Sequence, residues 1–111
     1  LEDEGQFDLI TALTGSGPGF VYRFVDALAA GAAVLGMDRG QAERLAVRMV
    51  EGAAALSAAS PHSPAELARR VASPGGTTQR GLDVLDDNAA LENLITRCLA
   101  ATRDRERELA A

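Results

Sequence analysis

Residues 20–59, FVYRFVDALAAGAAVLGMDRGQAERLAVRMVEGAAALSAA, decide the fold because they contain two consecutive helical patterns. In the first pattern, apolar residues recur with the spacing of one broad helix face: Phe20, Val21, Phe24, Val25, Leu28 and Ala29. Residues 27–35 contain no charged side chain, so we expect this half of the helix to be buried on all sides. Gly36 is expected to end the helix, since glycine is common just past a helix C-terminus.

The second pattern predicts another long helix. Asp38 and Gln41 form a capping box at its start. The predicted core stripe follows the helical period: Ala42, Leu45, Ala46, Met49, Val50, Ala53 and Leu56.

Shorter helical patterns flank this pair. Residues 8–13 form a short apolar turn closed by Thr14 and Gly15, and Ser16 with Pro18 is predicted to open the first long helix. Ser63 and Glu66 form a second capping box, which predicts a short helix ending at about Val71.

Towards the end of the chain, helical periodicity resumes at residues 82–85 and is broken again at residues 86–88. A last helix is predicted over residues 91–99, before the charged run 103–108. We therefore predict that residues 1–111 form a single all-α domain, a bundle of about six helices.

The size and composition of the chain favour self-association. Alanine occupies 22 of the 111 positions and only four residues are aromatic, so the helices are expected to pack closely. A domain of this size buries only about two thirds of its unfolded surface. Because the two long helices carry apolar residues on most faces, we expect an obligate dimer with a second copy rather than a monomeric bundle.

The charge and residue inventory excludes several classes of function. A net charge of −5 argues against binding nucleic acid or an anionic membrane, and no run of 18 apolar residues predicts a membrane span. All eleven basic residues are arginine, so a Schiff-base or P-loop lysine is absent. Cys98 and His62 are each the only residue of their type, so no metal site and no internal disulfide is expected, and a reducing cytoplasm is the default location.

Residues 73–78, SPGGTT, are the strongest candidate for a binding site. Proline and two glycines allow a tight turn, and the helix that follows presents unpaired backbone N–H groups beside the hydroxyls of Ser73, Thr77 and Thr78. Such a helix start attracts a carboxylate or a phosphate. The alternative is that these small polar residues serve only to cap their own helix.

The other candidates have plainer interpretations. Residues 15–19, GSGPG, lack the glycine spacing and the preceding strand of a dinucleotide site, so they predict a helix start that allows close packing. His62 is expected to be exposed in a loop, and Cys98 to be a small core residue. Asp26 and Glu51 lie on otherwise apolar helices, where a solvated edge is favoured over catalysis.

Five segments together resemble a known family: residues 9–18 (LITALTGSGP), 26–29 (DALA), 52–54 (GAA), 64–67 (PAEL) and 73–78 (SPGGTT). In this order and spacing they are similar to the C-terminal helical domain of the pyrroline-5-carboxylate reductases, over residues 8–109. The resemblance implies an enzyme that reduces 1-pyrroline-5-carboxylate to L-proline in proline biosynthesis. It also implies that NADPH or NADH is bound by an N-terminal Rossmann domain, which this chain lacks. We therefore expect the chain to be a piece of a longer protein and to have no reductase activity alone.

The resemblance also implies an assembly and a set of site residues. The domain interlocks with a second copy into a dimer, five dimers form a decamer in many members, and the small imino-acid substrate binds at the dimer interface. In the turn formed with Gly75, the hydroxyl of Ser73 and the backbone N–H groups of Gly76 and Thr77 hold the substrate carboxylate. Thr78 reaches the ring nitrogen, orients the imine and helps to relay its proton, so it is the catalytic residue.

Two further residues, Ser16 and Gly17, are expected to line the same cleft. The chain departs from the family pattern at Gly19 and Phe20, where alanine and tyrosine are usual, and at Arg80, which places a cation next to the site. Two alternatives therefore stay open: a paralogous imine reductase for another carboxylated substrate, and a non-catalytic regulatory paralogue that uses the same helical dimer.

Overall fold

A computed structural model describes residues 4–110, and every regular element among them is helical. The α-helices are α1 (Glu4–Thr11), α2 (Gly17–Val34), α3 (Arg39–Ala59), α4 (Pro64–Val71), α5 (Thr77–Asp86) and α6 (Ala90–Ala110). A π-helical stretch, Ala12–Ser16, which we call the π segment, joins α1 to α2, and a 3₁₀ turn, Asp87–Ala89, joins α5 to α6. The predicted all-α class is confirmed.

The prediction of about six helices needs correction. Only four helices reach ten residues, namely α2, α3, α5 and α6 with 18, 21, 10 and 21 residues. The helices α1 and α4 have eight residues each, about two turns, and are too short to form a bundle layer of their own. The long elements are therefore four rather than six.

The described chain groups into two compact units. The first unit comprises residues 4–20 and 75–110, in which α6 packs against α1, the π segment and α5. An ion pair between Arg107 and Asp8, 3.5 Å apart, joins α6 to α1 within it. The second unit is Val21–Pro74, which holds most of α2 together with α3 and α4.

In the second unit a tight loop connects α2 to α3. Gly36 adopts a φ of +116°, and its N–H donates to the Ala33 carbonyl at 3.1 Å while Met37 N–H donates to Ala32 at 3.0 Å. This is the Schellman arrangement that favours glycine, so the predicted helix end is confirmed. The Asp38 carboxylate then accepts from the Gln41 N–H at 3.0 Å, which confirms the predicted cap of α3.

Helix α2 begins at Gly17, as the sequence predicts to within one residue, but the predicted turn before it and the capping role of Ser16 are wrong. Gly17 has helical backbone angles, φ −51° and ψ −43°, so α1, the π segment and α2 follow one another without a turn. A proline inside an α-helix has no N–H to donate and clashes with the carbonyl four residues earlier. The wider π turn directly before Pro18 relieves that clash, so the helix continues through the proline.

The prediction that residues 27–35 are buried on all sides is also wrong for this chain. Val34 and Leu35 are 86% and 89% exposed. The buried apolar residues of the described chain are four alanines: Ala12, Ala29, Ala42 and Ala46. Helical periodicity identified the apolar face correctly. Within the described chain, however, only the alanines of that face are buried.

The remaining boundaries follow the sequence closely, with one exception. The Ser63 hydroxyl accepts from the Glu66 N–H at 3.2 Å, and α4 ends at Val71 as predicted. Positive φ values at Asn88 and Ala89, 51° and 55°, confirm the break after α5. The exception is α6, which continues through the charged run to Ala110 instead of ending before it.

No helix within residues 4–110 combines the length and the apolar character needed to cross a membrane.

Candidate functional site

The turn between α4 and α5 has the backbone that its sequence predicts. Gly75 adopts a φ of +75°, in the left-handed region that favours glycine. Gly76 returns to extended backbone, with φ −84° and ψ 178°, and α5 begins at Thr77. The predicted helix start at this turn is therefore confirmed.

The N-terminus of α5 carries no side-chain cap. Gly76 occupies the cap position without a side-chain hydrogen bond, whereas Asp38 caps α3 and Ser63 caps α4. The Arg80 N–H donates to the Gly76 carbonyl at 3.2 Å and closes the first turn. Because the first N–H groups of a helix have no partner within it, those of Thr77 and Thr78 point out of the helix end unclaimed by a cap.

The turn is also accessible. Ser73, Gly75, Thr77 and Thr78 are exposed, and Gly76 is half-buried. Unclaimed N–H groups at the positive end of a helix dipole, beside the exposed hydroxyls of Thr77 and Thr78, have the chemistry that attracts a small anion. The alternative was that these residues serve only to cap their own helix. The structure does not support it, because no side chain caps α5.

Ser16 and Gly17 lie at the other glycine-rich segment. Ser16 is the last residue of the π segment and Gly17 the first of α2, and both are half-buried. The π segment packs against α1 and α6, and within residues 4–110 no hydrogen bond joins Ser16 or Gly17 to residues 75–78. Their convergence with the turn on one cleft stays a prediction.

The other sequence candidates take ordinary positions. His62 is exposed, as expected, and its N–H donates to the Ser60 hydroxyl at 3.0 Å. Asp26 forms an ion pair with Arg39, and Glu51 pairs with Arg48 at 3.2 Å, which confirms the solvated edge predicted for both acids. Cys98 is a half-buried free thiol on α6. Within the described part of the chain, no three His, Cys, Asp or Glu side chains converge on a position that would hold a metal ion.

Sequence reasoning missed a groove between α2 and α3. It has a volume of about 510 Å³, and four valines, two from each helix, line it together with Tyr22. Asp26, Glu43 and Glu51 line it as well. The signal was present in the sequence, because Asp26 and Glu51 were already conspicuous as acids on apolar helices.

Comparison with known proteins gives one consistent result. A family model described as pyrroline-5-carboxylate reductase dimerisation matches residues 4–109. The chain is 39% identical to the pyrroline-5-carboxylate reductase of Pseudomonas aeruginosa over 110 residues, which is 99% of this chain and 40% of that protein.

Solved structures agree with this result. A pyrroline-5-carboxylate reductase from Coxiella burnetii is similar with a TM-score of 0.88 and 36% identity, over 98% of this chain and 40% of that one. The pyrroline carboxylate reductase of Plasmodium falciparum, solved with NADP bound, has a TM-score of 0.88 and 25% identity, over 98% and 41% of the two chains. The chain thus spans about 40% of the length of the relatives that it matches.

Proposed function

This chain belongs to the pyrroline-5-carboxylate reductase family through its dimerisation domain, and on that premise we propose that it is the dimer-forming, substrate-binding part of an enzyme that reduces 1-pyrroline-5-carboxylate to L-proline. The observation that carries the substrate-binding part of this proposal is the uncapped, accessible N-terminus of α5. A carboxylate is the part of that substrate which such a helix end recognises.

In this proposal the turn binds the substrate carboxylate. Its two oxygens accept hydrogen bonds from the N–H groups of Gly76 and Thr77 and from the hydroxyl of Ser73, within the turn shaped by Gly75. Hydrogen bonds to a charged acceptor are stronger than those to a neutral one, and the helix dipole adds to them. Ser16 and Gly17 form the far side of the cleft.

Thr78 then acts on the ring nitrogen. A hydroxyl both donates and accepts hydrogen bonds, so it holds the imine nitrogen in place and takes part in moving its proton. Thr78 is exposed and is the second residue of α5, one position beyond the proposed carboxylate site at Thr77. The turn and Thr78 therefore fix the substrate at two points, which sets its orientation.

The nicotinamide cofactor, NADPH or NADH, supplies the hydride in this reaction. The described residues do not fit a dinucleotide site of the Rossmann type, because such a site needs a glycine loop after a strand and every regular element within residues 4–110 is helical. We assign the cofactor to a separate nucleotide-binding domain of the complete enzyme.

The exposed surface supports a homodimer. No large side chain of the described chain is fully buried, and Val21–Pro74 alone exposes apolar residues as large as Tyr22, at 72%, and Leu35, at 89%. Apolar patches of this extent mark an interface between proteins. The partner is a second copy, and the assembly is either this dimer or a decamer of five such dimers. The free thiol of Cys98 suits a cytoplasmic location.

The decisive experiment is an assay of NADPH and NADH oxidation by the complete protein with pyrroline-5-carboxylate, with the 111-residue chain as control. Turnover by the complete protein and none by the chain is expected. No turnover with either cofactor from a folded dimer would overturn the assignment and favour a non-catalytic paralogue.

One observation favours a second candidate, an imine reductase for a different carboxylated substrate. Arg80 is exposed next to the turn and has no ion pair among the described residues. A free cation there would accommodate a substrate with an additional anionic group. Comparing pyrroline-5-carboxylate with a dicarboxylated cyclic imine in the same assay separates the two candidates.

A further inference from the structure

The π segment leaves one backbone carbonyl without its usual donor. In a π-helical stretch each N–H donates to the carbonyl five residues earlier, so the last bond of this stretch runs from the Gly17 N–H to the Ala12 carbonyl. The next bond in the series would join residue 18 to the Leu13 carbonyl, but Pro18 has no N–H to donate. The helical path through this segment therefore supplies no donor to the Leu13 carbonyl.

The threonine hydroxyls on either side of this carbonyl are engaged elsewhere. The Thr11 hydroxyl donates to the Phe7 carbonyl at 3.1 Å. The Thr14 hydroxyl donates to the Ile10 carbonyl at 2.8 Å. Leu13 itself is 59% exposed, so this part of the helix lies at the surface of the described chain. Water serves an accessible carbonyl of this kind until a ligand with an N–H group displaces it.

The π segment belongs to the same part of the fold as the start of α5. Residues 4–20 and 75–110 form one compact unit, in which α6 packs against both the π segment and α5. Ser16 and Gly17, at the end of the π segment, are the residues proposed above to form the far side of the substrate cleft. The Leu13 carbonyl lies within one helical turn of Ser16, so it belongs to the same side of that cleft.

The two ends of the proposed substrate need partners of opposite kinds. Its carboxylate accepts hydrogen bonds, which the N–H groups at the start of α5 supply. Its ring nitrogen carries a proton when the neighbouring carbon receives a hydride, and that N–H needs an acceptor. A carbonyl oxygen accepts such a bond, and a hydrogen bond made only by the protonated form favours that form.

We propose that the Leu13 carbonyl accepts a hydrogen bond from the protonated ring nitrogen of the substrate, and that Pro18 keeps this carbonyl free to do so. This inference rests on the proposed function and adds to it a backbone acceptor opposite the hydroxyl of Thr78. Thr78 delivers the proton to the ring nitrogen, and the carbonyl stabilises the cation that results. Pro18 is a positioning residue, because it acts only through the carbonyl that it leaves without a donor.

The substitution Pro18→Ala tests this role, because alanine returns an N–H that can donate to the Leu13 or the Thr14 carbonyl. The probes are L-proline, whose charged ring nitrogen carries N–H groups, and cyclopentanecarboxylate, a ring of the same size with a carboxylate and no nitrogen. Calorimetric titration of the complete enzyme with its oxidised nicotinamide cofactor gives the Kd of each. For L-proline, Pro18→Ala is expected to raise the Kd about tenfold, which corresponds to the loss of a hydrogen bond to a charged group. The Kd of cyclopentanecarboxylate should stay within about a factor of two, since a surface substitution away from its contacts has little effect.

The matched control is Pro64→Ala. Pro64 is the first residue of α4, where an N–H would have no partner within the helix in any case. This substitution should therefore leave both dissociation constants unchanged. Circular dichroism of both variants checks that their helices are intact.

The outcomes separate this inference from the proposed function. If Pro18→Ala weakens both probes equally, or neither, the Leu13 carbonyl does not bind the ring nitrogen, and the carboxylate site stands. The unsubstituted enzyme gives a second measurement that does not depend on how the variant folds. It should bind L-proline about tenfold more tightly than cyclopentanecarboxylate, and equal binding overturns the inference. An enzyme that binds neither probe overturns the proposed function as well.

Discussion

Two segments of this chain look alike in sequence and differ in structure. Residues 14–18, TGSGP, and residues 73–78, SPGGTT, both combine glycine, proline and hydroxyl side chains. The first lies inside an unbroken helical path, and the second forms a turn that ends with a new helix. The difference lies in the backbone angles, because Gly17 is helical whereas Gly75 has a φ of +75°. Composition therefore identifies a segment in which a turn is possible. Whether the turn forms is seen only in the backbone angles of its glycines.

The same difference determines which segment has an uncapped helix start. In the first segment the Thr14 hydroxyl donates to the Ile10 carbonyl at 2.8 Å, so both its hydroxyl and its backbone serve the helix. In the second, α5 begins without a side-chain cap. Four experiments test this contrast, in order of decreasing effect.

The largest effect is expected for Thr78→Ala in the complete enzyme. Removing a hydroxyl that positions and helps to protonate the imine should lower kcat about 100-fold, while the dimer persists. The matched control is Thr14→Ala, whose hydroxyl is committed to the helix and whose loss should leave kcat within a factor of two or so. Steady-state kinetics and light scattering measure both variants. Equal kcat values for the two would mean that Thr78 has no part in the chemistry.

Gly75→Ala should have the next largest effect, on folding. An alanine at a φ of +75° is strained, which costs about 1–2 kcal/mol even though nothing lies within 4 Å of the added methyl group. Urea unfolding at a fixed chain concentration measures the loss. An unchanged free energy of unfolding would show that the turn adopts another backbone conformation.

Ser63→Ala and Ser73→Ala form a pair that compares a capped helix with an uncapped one. Ser63 caps α4, so its loss should lower the free energy of unfolding by about 1 kcal/mol. Ser73 makes no cap for α5, so its loss should change stability by less than about 0.5 kcal/mol and raise the KM for the substrate instead. Unfolding and kinetics on both variants give the comparison. If Ser73→Ala lowered the free energy of unfolding as much as Ser63→Ala does, Ser73 would be a capping residue and not a substrate ligand.

The smallest effect is expected at Gly17. Gly17 is helical and directly precedes Pro18, so the helix propensity that an alanine adds is offset by the clash between its methyl group and the proline ring. Gly17→Ala should therefore change the free energy of unfolding by less than about 0.5 kcal/mol, in contrast to Gly75→Ala. The same unfolding measurement applies. A loss as large as that at Gly75 would mean that this segment also needs a backbone conformation that only glycine adopts easily.

The sequence predicted those parts of the fold that depend on local chemistry. The caps at Asp38 and Ser63, the glycine end at Gly36 and the turn at residues 73–78 each rest on interactions within a few residues, and each was found where predicted. The π segment was missed because apolar spacing over five residues does not distinguish a π turn from an α turn, and Pro18 favoured a helix start. Burial of residues 27–35 was mispredicted because an apolar face shows the need for a partner without showing where the partner is.

The candidate site was predictable to the same extent. The uncapped start of α5 follows from glycine, proline and helix ends, and the sequence was sufficient to place it. The groove between α2 and α3 depends on how two helices face each other, which the sequence does not specify. The local sign of it was the presence of acidic residues on otherwise apolar helices. Whether Ser16 meets the turn depends on contacts between distant segments, which periodicity does not encode.

The four buried alanines have a consequence for the life of this chain in a cell. Each contributes one methyl group, worth about 0.8 kcal/mol, so a lone copy gains little from its own core. On the self-association proposed above, folding and pairing become a single event, and the temperature of unfolding should rise with chain concentration. A newly made copy would then stay vulnerable to proteases until it meets another, so the amount of surviving protein should rise more steeply than its rate of synthesis.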